Sequence, residues 1–141
     1  QHASRLASGQ ARPAIFEGFK SLFLIKDNGQ MADVGGIAAG LDYNGIGPIH
    51  AYLASIGRLQ VSSATDREAI EALQVLARSE GILAALESAH AVAEGLKQAK
   101  TMDSKEILII NLSGRADNYI FNVAKGLKDK AFEQFCGEYR L

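Results

Sequence analysis

The sequence predicts an α/β fold: part of a three-layer αβα domain with a mostly parallel sheet, preceded by a β-hairpin and a glycine-rich loop. Three observations predict it. The run Glu106-Ile-Leu-Ile-Ile-Asn-Leu is short and continuously apolar, the pattern of a strand buried on both faces. Residues with helical spacing lie before and after it. A further short β-prone stretch, Arg58 to Ser62, precedes the first of these helices, so strands alternate with helices as in layered α/β domains.

Taken in order, residues 14–32 divide into two apolar runs around Asp27-Asn28-Gly29. Asn-Gly tolerates the positive φ angles of a tight turn, so this segment is expected to be a β-hairpin. Residues 33–53 follow as a glycine-rich loop, too rich in glycine for a regular helix or strand and apolar enough to be ordered. From residue 58 to 141 the α/β portion begins. Thr65-Asp66-Arg67-Glu68 is a capping-box signature, in which threonine and glutamate satisfy each other's backbone amides. Ile70, Leu73, Leu76 and Ala77 continue at helical spacing, and Gly81 ends the run. A second helix is expected over roughly Leu83 to Ala99. A third is expected from about Tyr119 to Tyr139, with Ile120, Val123, Leu127, Ala131 and Phe135 on one side. No internal repeat or linker divides the 141 residues, so a single domain is expected, and it is a partial one: neither end reads as a natural terminus.

Composition narrows the function classes. Fifteen basic residues against sixteen acidic ones leave a formal charge of −1, without the basic stripe that nucleic acid requires. The apolar runs fall far short of the ~20 residues of a membrane span. Cys136 is the single cysteine, so an internal disulfide is impossible and a reducing, cytoplasmic setting is expected.

Three places could carry chemistry. Ligands of open α/β sheets collect beyond the C-terminal ends of strands, which singles out Asn111 to Arg115. There Ser113 would present a hydroxyl and Gly114 would admit a ligand close to the backbone; the alternative is that the segment only satisfies a turn. The second place is the glycine-rich loop around Gly40 and Asp42, to be weighed against a packed Ω-type loop in which Asp42 caps its own turn. Glu87 is the third: its apolar neighbours Leu83 and Leu86 suggest a partly buried carboxylate, against an ordinary surface glutamate. Glu87 and His90 form one Glu-x-x-His pair with no second copy, and His2 and His50 complete no metal pattern. No nucleophile elbow, Cys-x-x-Cys pair, Walker loop or dinucleotide fingerprint occurs. Residue types alone thus indicate a pocket without naming its reaction.

Three segments, in order, resemble the tryptophan synthase β chain, a fold-type II pyridoxal-phosphate enzyme. AGLDYNGIGPIHAYL is similar to that family's glycine-rich loop, EGILAALESAHAVAEGLK to one of its helices, and ILIINLSGRAD to its NLSGR strand end. The KDNGQ turn falls in register as well. The resemblance runs from about Arg12 to Val123 and identifies the chain as the C-terminal portion of such an enzyme. It implies that Ser113 hydrogen-bonds the pyridine nitrogen of pyridoxal phosphate, with Gly114 beside it and Gly40 and Glu87 near the ring. It implies that Asp42 contacts the hydroxyl of the L-serine substrate and that carbonyls near Tyr43 and Gly45 help bind a monovalent cation. Phe16 and Glu17 would lie by a channel carrying indole from an α chain, and a second β chain would complete the assembly. The reaction implied is replacement of the serine β-hydroxyl by indole.

The family's Schiff-base lysine and phosphate cradle have no counterpart in these residues, so none of the lysines here is assigned a catalytic role and the 141-residue chain alone is expected to be inactive. Gly36 and Ala38 replace two usual hydroxyl residues, Asn44 a common proline, Ile49 a polar residue and Tyr119 a frequent aspartate. The competing expectation is a stand-alone binding or assembly module that keeps the sheet without the chemistry and self-associates through uncovered surface.

Overall fold

A computed structural model describes residues 4–117 and 120–139; the expectations attached to His2 and Tyr119 lie outside the described residues. The fold is mixed α/β, with one antiparallel hairpin and five α-helices among the described residues. It divides into two compact units, Gln1–Ser63 and Ala64–Leu141.

In the first unit, strands β1 (Arg12–Phe16) and β2 (Phe19–Phe23) pair antiparallel, with Arg12 opposite Phe23 and Phe16 opposite Phe19. The connection is Glu17-Gly18, both at positive φ (52° and 83°), as a two-residue hairpin demands. The hairpin therefore turns eleven residues earlier than the Asn-Gly pair suggests. Alternation explains the choice: Phe19, Ser21 and Phe23 share one face of β2, where Ser21 and Phe23 are buried. Asn28-Gly29 makes a smaller turn, with the Lys26 amide donating to the Gln30 carbonyl (2.8 Å) and a single bridge between Ile25 and Met31.

Phe23 is the centre of this unit. It is completely buried, with the rings of Phe16 and Phe19 at 5.0 and 5.4 Å. Beyond the glycine-rich stretch comes α1 (Pro48–Ser55), a helix inside the segment expected to be loop throughout. Pro48 at its start explains this: the missing N–H is one the first turn leaves unpaired, and the ring presets φ.

In the second unit α2 (Asp66–Glu80) packs on α3 (Leu86–Ala99). Ala69, Ala72 and Leu73 of α2 are buried, as are Leu86, Ala89, Val92 and Ala93 of α3, and the alanines among them let the two helices pack closely. The expected capping box is present. The Glu68 amide donates to Thr65 Oγ1 (3.3 Å) and the Thr65 amide to Glu68 Oε2 (2.7 Å). Gly81, at φ 69°, closes α2 in the left-handed conformation. The second helix starts at Leu86 and not Leu83, because residues 83–85 are engaged with the chain at Gly114 to Ala116.

The Glu68 carboxyl also meets Lys97 of α3 at 2.9 Å. The Thr65 amide first, then Lys97 and the Thr65 hydroxyl, hold it well below its ordinary 4.5, at about 2. A folded value below the unfolded one means a contribution complete above about pH 4.5 and lost as pH falls towards about 2. Thermal unfolding across that window is expected to lose stability less steeply in Glu68→Gln than in the wild type; equal slopes would contradict the assignment.

The terminal helix expected as one piece is two, α4 (Ile120–Leu127) and α5 (Lys130–Tyr139). Lys128 takes positive φ (53°), and Asp129 caps the next helix by accepting from the Phe132 amide at 2.8 Å. The two runs read as sheet strands, Arg58 to Ser62 and Glu106 to Leu112, are irregular, and the hydrogen-bonded ladder among the described residues is the antiparallel hairpin. The second run still alternates. Leu108 and Ile110 lie over Gly95 of α3, while Ile107 and Ile109 are 86% and 87% exposed. Covered on one face only, a run with strand composition has no neighbouring strand to pair with among the described residues.

Candidate functional site

In the second unit the end of the 106–112 run is fastened to the start of α3. The Ser113 amide donates to Ser88 Oγ at 3.1 Å, and the two serine hydroxyls lie 3.4 Å apart. The Ala85 amide donates to the Gly114 carbonyl at 2.9 Å, and the Ala116 amide to the Leu83 carbonyl at 3.0 Å. Gly114 eases this approach, since a Cβ there would stand a tight 3.0 Å from that of Ala85. Ser88 is buried while Ser113 is exposed, so the inner hydroxyl fixes the backbone that presents the outer one. Glu87, next to Ser88 in the first turn of α3, is half-buried. Ser113, Gly114 and Glu87 are thus brought to one end of one helix. His90 bonds the Leu86 carbonyl of its own helix at 2.7 Å, which accounts for it without a metal.

Beside Ser113, Arg115 forms an exposed pair with Asp117, which lowers the pKa of the Asp117 carboxyl and raises that of the guanidinium. Such a pair contributes little to stability.

In the first unit the glycine-rich loop is laced to β2. The Leu24 amide donates to the Asn44 carbonyl (2.9 Å) and the Ile46 amide to the Leu22 carbonyl (3.1 Å), which sets Gly45 opposite Phe23 as a pair without mutual hydrogen bonds. Gly40 lies in a single 3₁₀ turn, Ala39–Leu41, and Asp42 closes that turn through its amide; both residues are exposed. The Tyr43 hydroxyl donates to Glu17 at the hairpin turn (2.7 Å), and that carboxylate raises the pKa of the phenol. The Asn44 side chain donates to the Ala32 carbonyl, a bond a proline there could not make. The Tyr43 carbonyl accepts from Arg5 Nη1 at 2.9 Å, as does the Leu41 carbonyl at 2.7 Å.

Two positioning residues escape sequence reasoning. Ser88 lies inside the helix motif, but a lone serine there carries no signal of burial. Arg5 has its partners 36 and 38 residues away, beyond any local pattern.

The donor set fits one end of pyridoxal phosphate. An exposed hydroxyl on a fixed backbone can donate to an unprotonated ring nitrogen, as Ser113 does not need its own hydroxyl to anchor its amide. The described residues include no cluster of ligating side chains that could hold a metal ion. Nor is any helix among them long and apolar enough to cross a membrane.

No family model matches the chain. Among curated proteins it is 46% identical over 138 residues to the tryptophan synthase beta chain of Helicobacter hepaticus, which is 98% of this chain and 33% of that protein. It is 48% identical over 124 residues to the proteins of the same name from Polaromonas sp. and Polaromonas naphthalenivorans. That is 88% of this chain and 27% and 28% of theirs. The chain therefore spans about a third of the length of the curated relatives it matches.

Proposed function

We propose that this chain, homologous to one stretch of the tryptophan synthase beta chain, is the C-terminal portion of such an enzyme and supplies part of its cofactor and substrate site. The observation that carries the reading is the similarity over 98% of the chain, which takes in both the Ser113 segment and the glycine-rich loop. The reaction is condensation of L-serine with indole to give L-tryptophan, a step of amino-acid biosynthesis in the cytoplasm.

Pyridoxal phosphate, when bound, supplies an electron sink for chemistry at the substrate's α- and β-carbons. Ser113 holds the ring nitrogen. A neutral hydroxyl would donate a hydrogen bond to it and keep its own proton, which leaves the nitrogen unprotonated. In the second unit Gly114 would leave room for the ring and Glu87 would stand near it. Asp42 contacts the serine hydroxyl from the loop. Residues 106–112 serve as one strand of a mainly parallel sheet in a three-layer domain, whose further strands would cover Ile107 and Ile109. An α chain and a second beta chain are the partners.

Assaying the full-length protein that carries these residues with pyridoxal phosphate, L-serine and indole is expected to yield tryptophan. If that protein forms none, the proposal fails.

A further inference from the structure

One nitrogen, Arg5 Nη1, stands where two backbone carbonyls of the glycine-rich loop converge, those of Leu41 and Tyr43, at 2.7 and 2.9 Å. The side chain is part-buried, and its Nε is buried without a hydrogen-bond partner among the described residues. Burial lowers the pKa of the guanidinium, yet the group stays charged in any protein at neutral pH. A charge withdrawn from water needs oxygens around it, and here they come from the loop backbone.

Converging carbonyls are also what a desolvated monovalent cation requires. The Tyr43 carbonyl is one that the family resemblance assigns to such an ion. The two requirements compete for the same lone pairs, and in this structure the guanidinium has the Tyr43 carbonyl.

We propose that Arg5 is the loop's own cation. It holds the Leu41 and Tyr43 carbonyls together in the way an added monovalent ion would, so the loop around Asp42 is ordered without one. A tethered charge has no dissociation constant to satisfy, so loop order becomes insensitive to which monovalent salt is present. The inference rests on the proposed function only for the loop's role in binding substrate; the clamp itself does not depend on it.

Hydrogen exchange of the Asp42 and Tyr43 amides, which bond the Ala39 and Leu41 carbonyls, reads the clamp directly. It is measured on the full-length protein without cofactor or substrate, so its outcome is separate from the fate of the enzymatic reading. Potassium, sodium and tetramethylammonium chloride are compared at equal ionic strength. Wild-type exchange is expected to be the same in all three. In Arg5→Ala it is expected to be about tenfold faster in tetramethylammonium, equivalent to about 1.4 kcal/mol, and to slow again with potassium or guanidinium ions. Arg5→Met, which keeps an apolar stem, replaces alanine if that variant does not fold. Three results overturn the proposal: wild-type exchange that slows in potassium, unchanged exchange in the variants, or faster exchange that no cation reverses.

Discussion

The 141-residue chain, supplied with pyridoxal phosphate, L-serine and indole, is expected to form no tryptophan above the enzyme-free rate. Covalent chemistry on this cofactor needs an amine that can be uncharged at the moment of attack, held at a pocket. Lys97 is instead paired with Glu68 at 2.9 Å, and that carboxylate raises its pKa. Lys26 is paired with the exposed Asp33 at 2.8 Å. For Lys97 that pairing favours the charged ammonium over the free amine that attack requires. The family resemblance likewise provides no counterpart in this sequence for the backbone-amide cradle that would hold the phosphate. The expected loss is thus the whole catalysed rate, a factor of about 10⁶ or more. Tryptophan accumulating in the isolated chain's reaction, confirmed by chromatography, would overturn this.

Gly45→Ala is expected to destabilise the first unit by about 1–3 kcal/mol, the range for forcing extra volume into a packed core. An added Cβ would lie 2.7 Å from Cδ1 of Phe23, closer still to Cε1, and 3.0 Å from the Tyr43 ring. Phe23 cannot swing away, because it is completely buried between Phe16 and Phe19. The β2 hydrogen bonds on either side of Gly45 keep the loop from retreating. Denaturant unfolding measures the effect, and the double variant Gly45→Ala/Phe23→Leu should recover part of it. A single variant as stable as the wild type would show that the close approach is not maintained in solution.

What the sequence discloses follows from how far each signal reaches. The capping box at Thr65 and Glu68 and the stop at Gly81 are legible because side chain and backbone partner lie within one turn. The hairpin is displaced because Asn28-Gly29 has the stronger turn chemistry, whereas the buried alternation of Ser21 and Phe23 decides where the strands pair. Pro48 follows directly on the glycines, which hides the helix that it starts. The apolar run at Ile107 to Ile110 shows strand composition, but the chain itself covers only the face over Gly95. Its other face, with Ile107 and Ile109, is exposed, and no second strand pairs with the run among the described residues.

The site divides in the same way. Ser113 and Gly114 stand out because a polar pair follows an apolar run, and the structure adds Ser88 as the buried hydroxyl that fixes them. The Asp42 loop stands out by its glycines. Its fastening to Arg5, Glu17, Ala32 and β2 is long-range and invisible to any local pattern.

The most direct test is the steady-state rate of tryptophan formation by the full-length protein with Ser113→Ala, compared with the wild type and Ser113→Thr. Leaving the ring nitrogen without its hydrogen-bond donor should lower kcat by about 5- to 150-fold, the factor that about 1–3 kcal/mol corresponds to. Threonine, which keeps the hydroxyl, should retain more of the rate than alanine. Turnover by Ser113→Ala at the wild-type rate would contradict the placement of Ser113 at the cofactor.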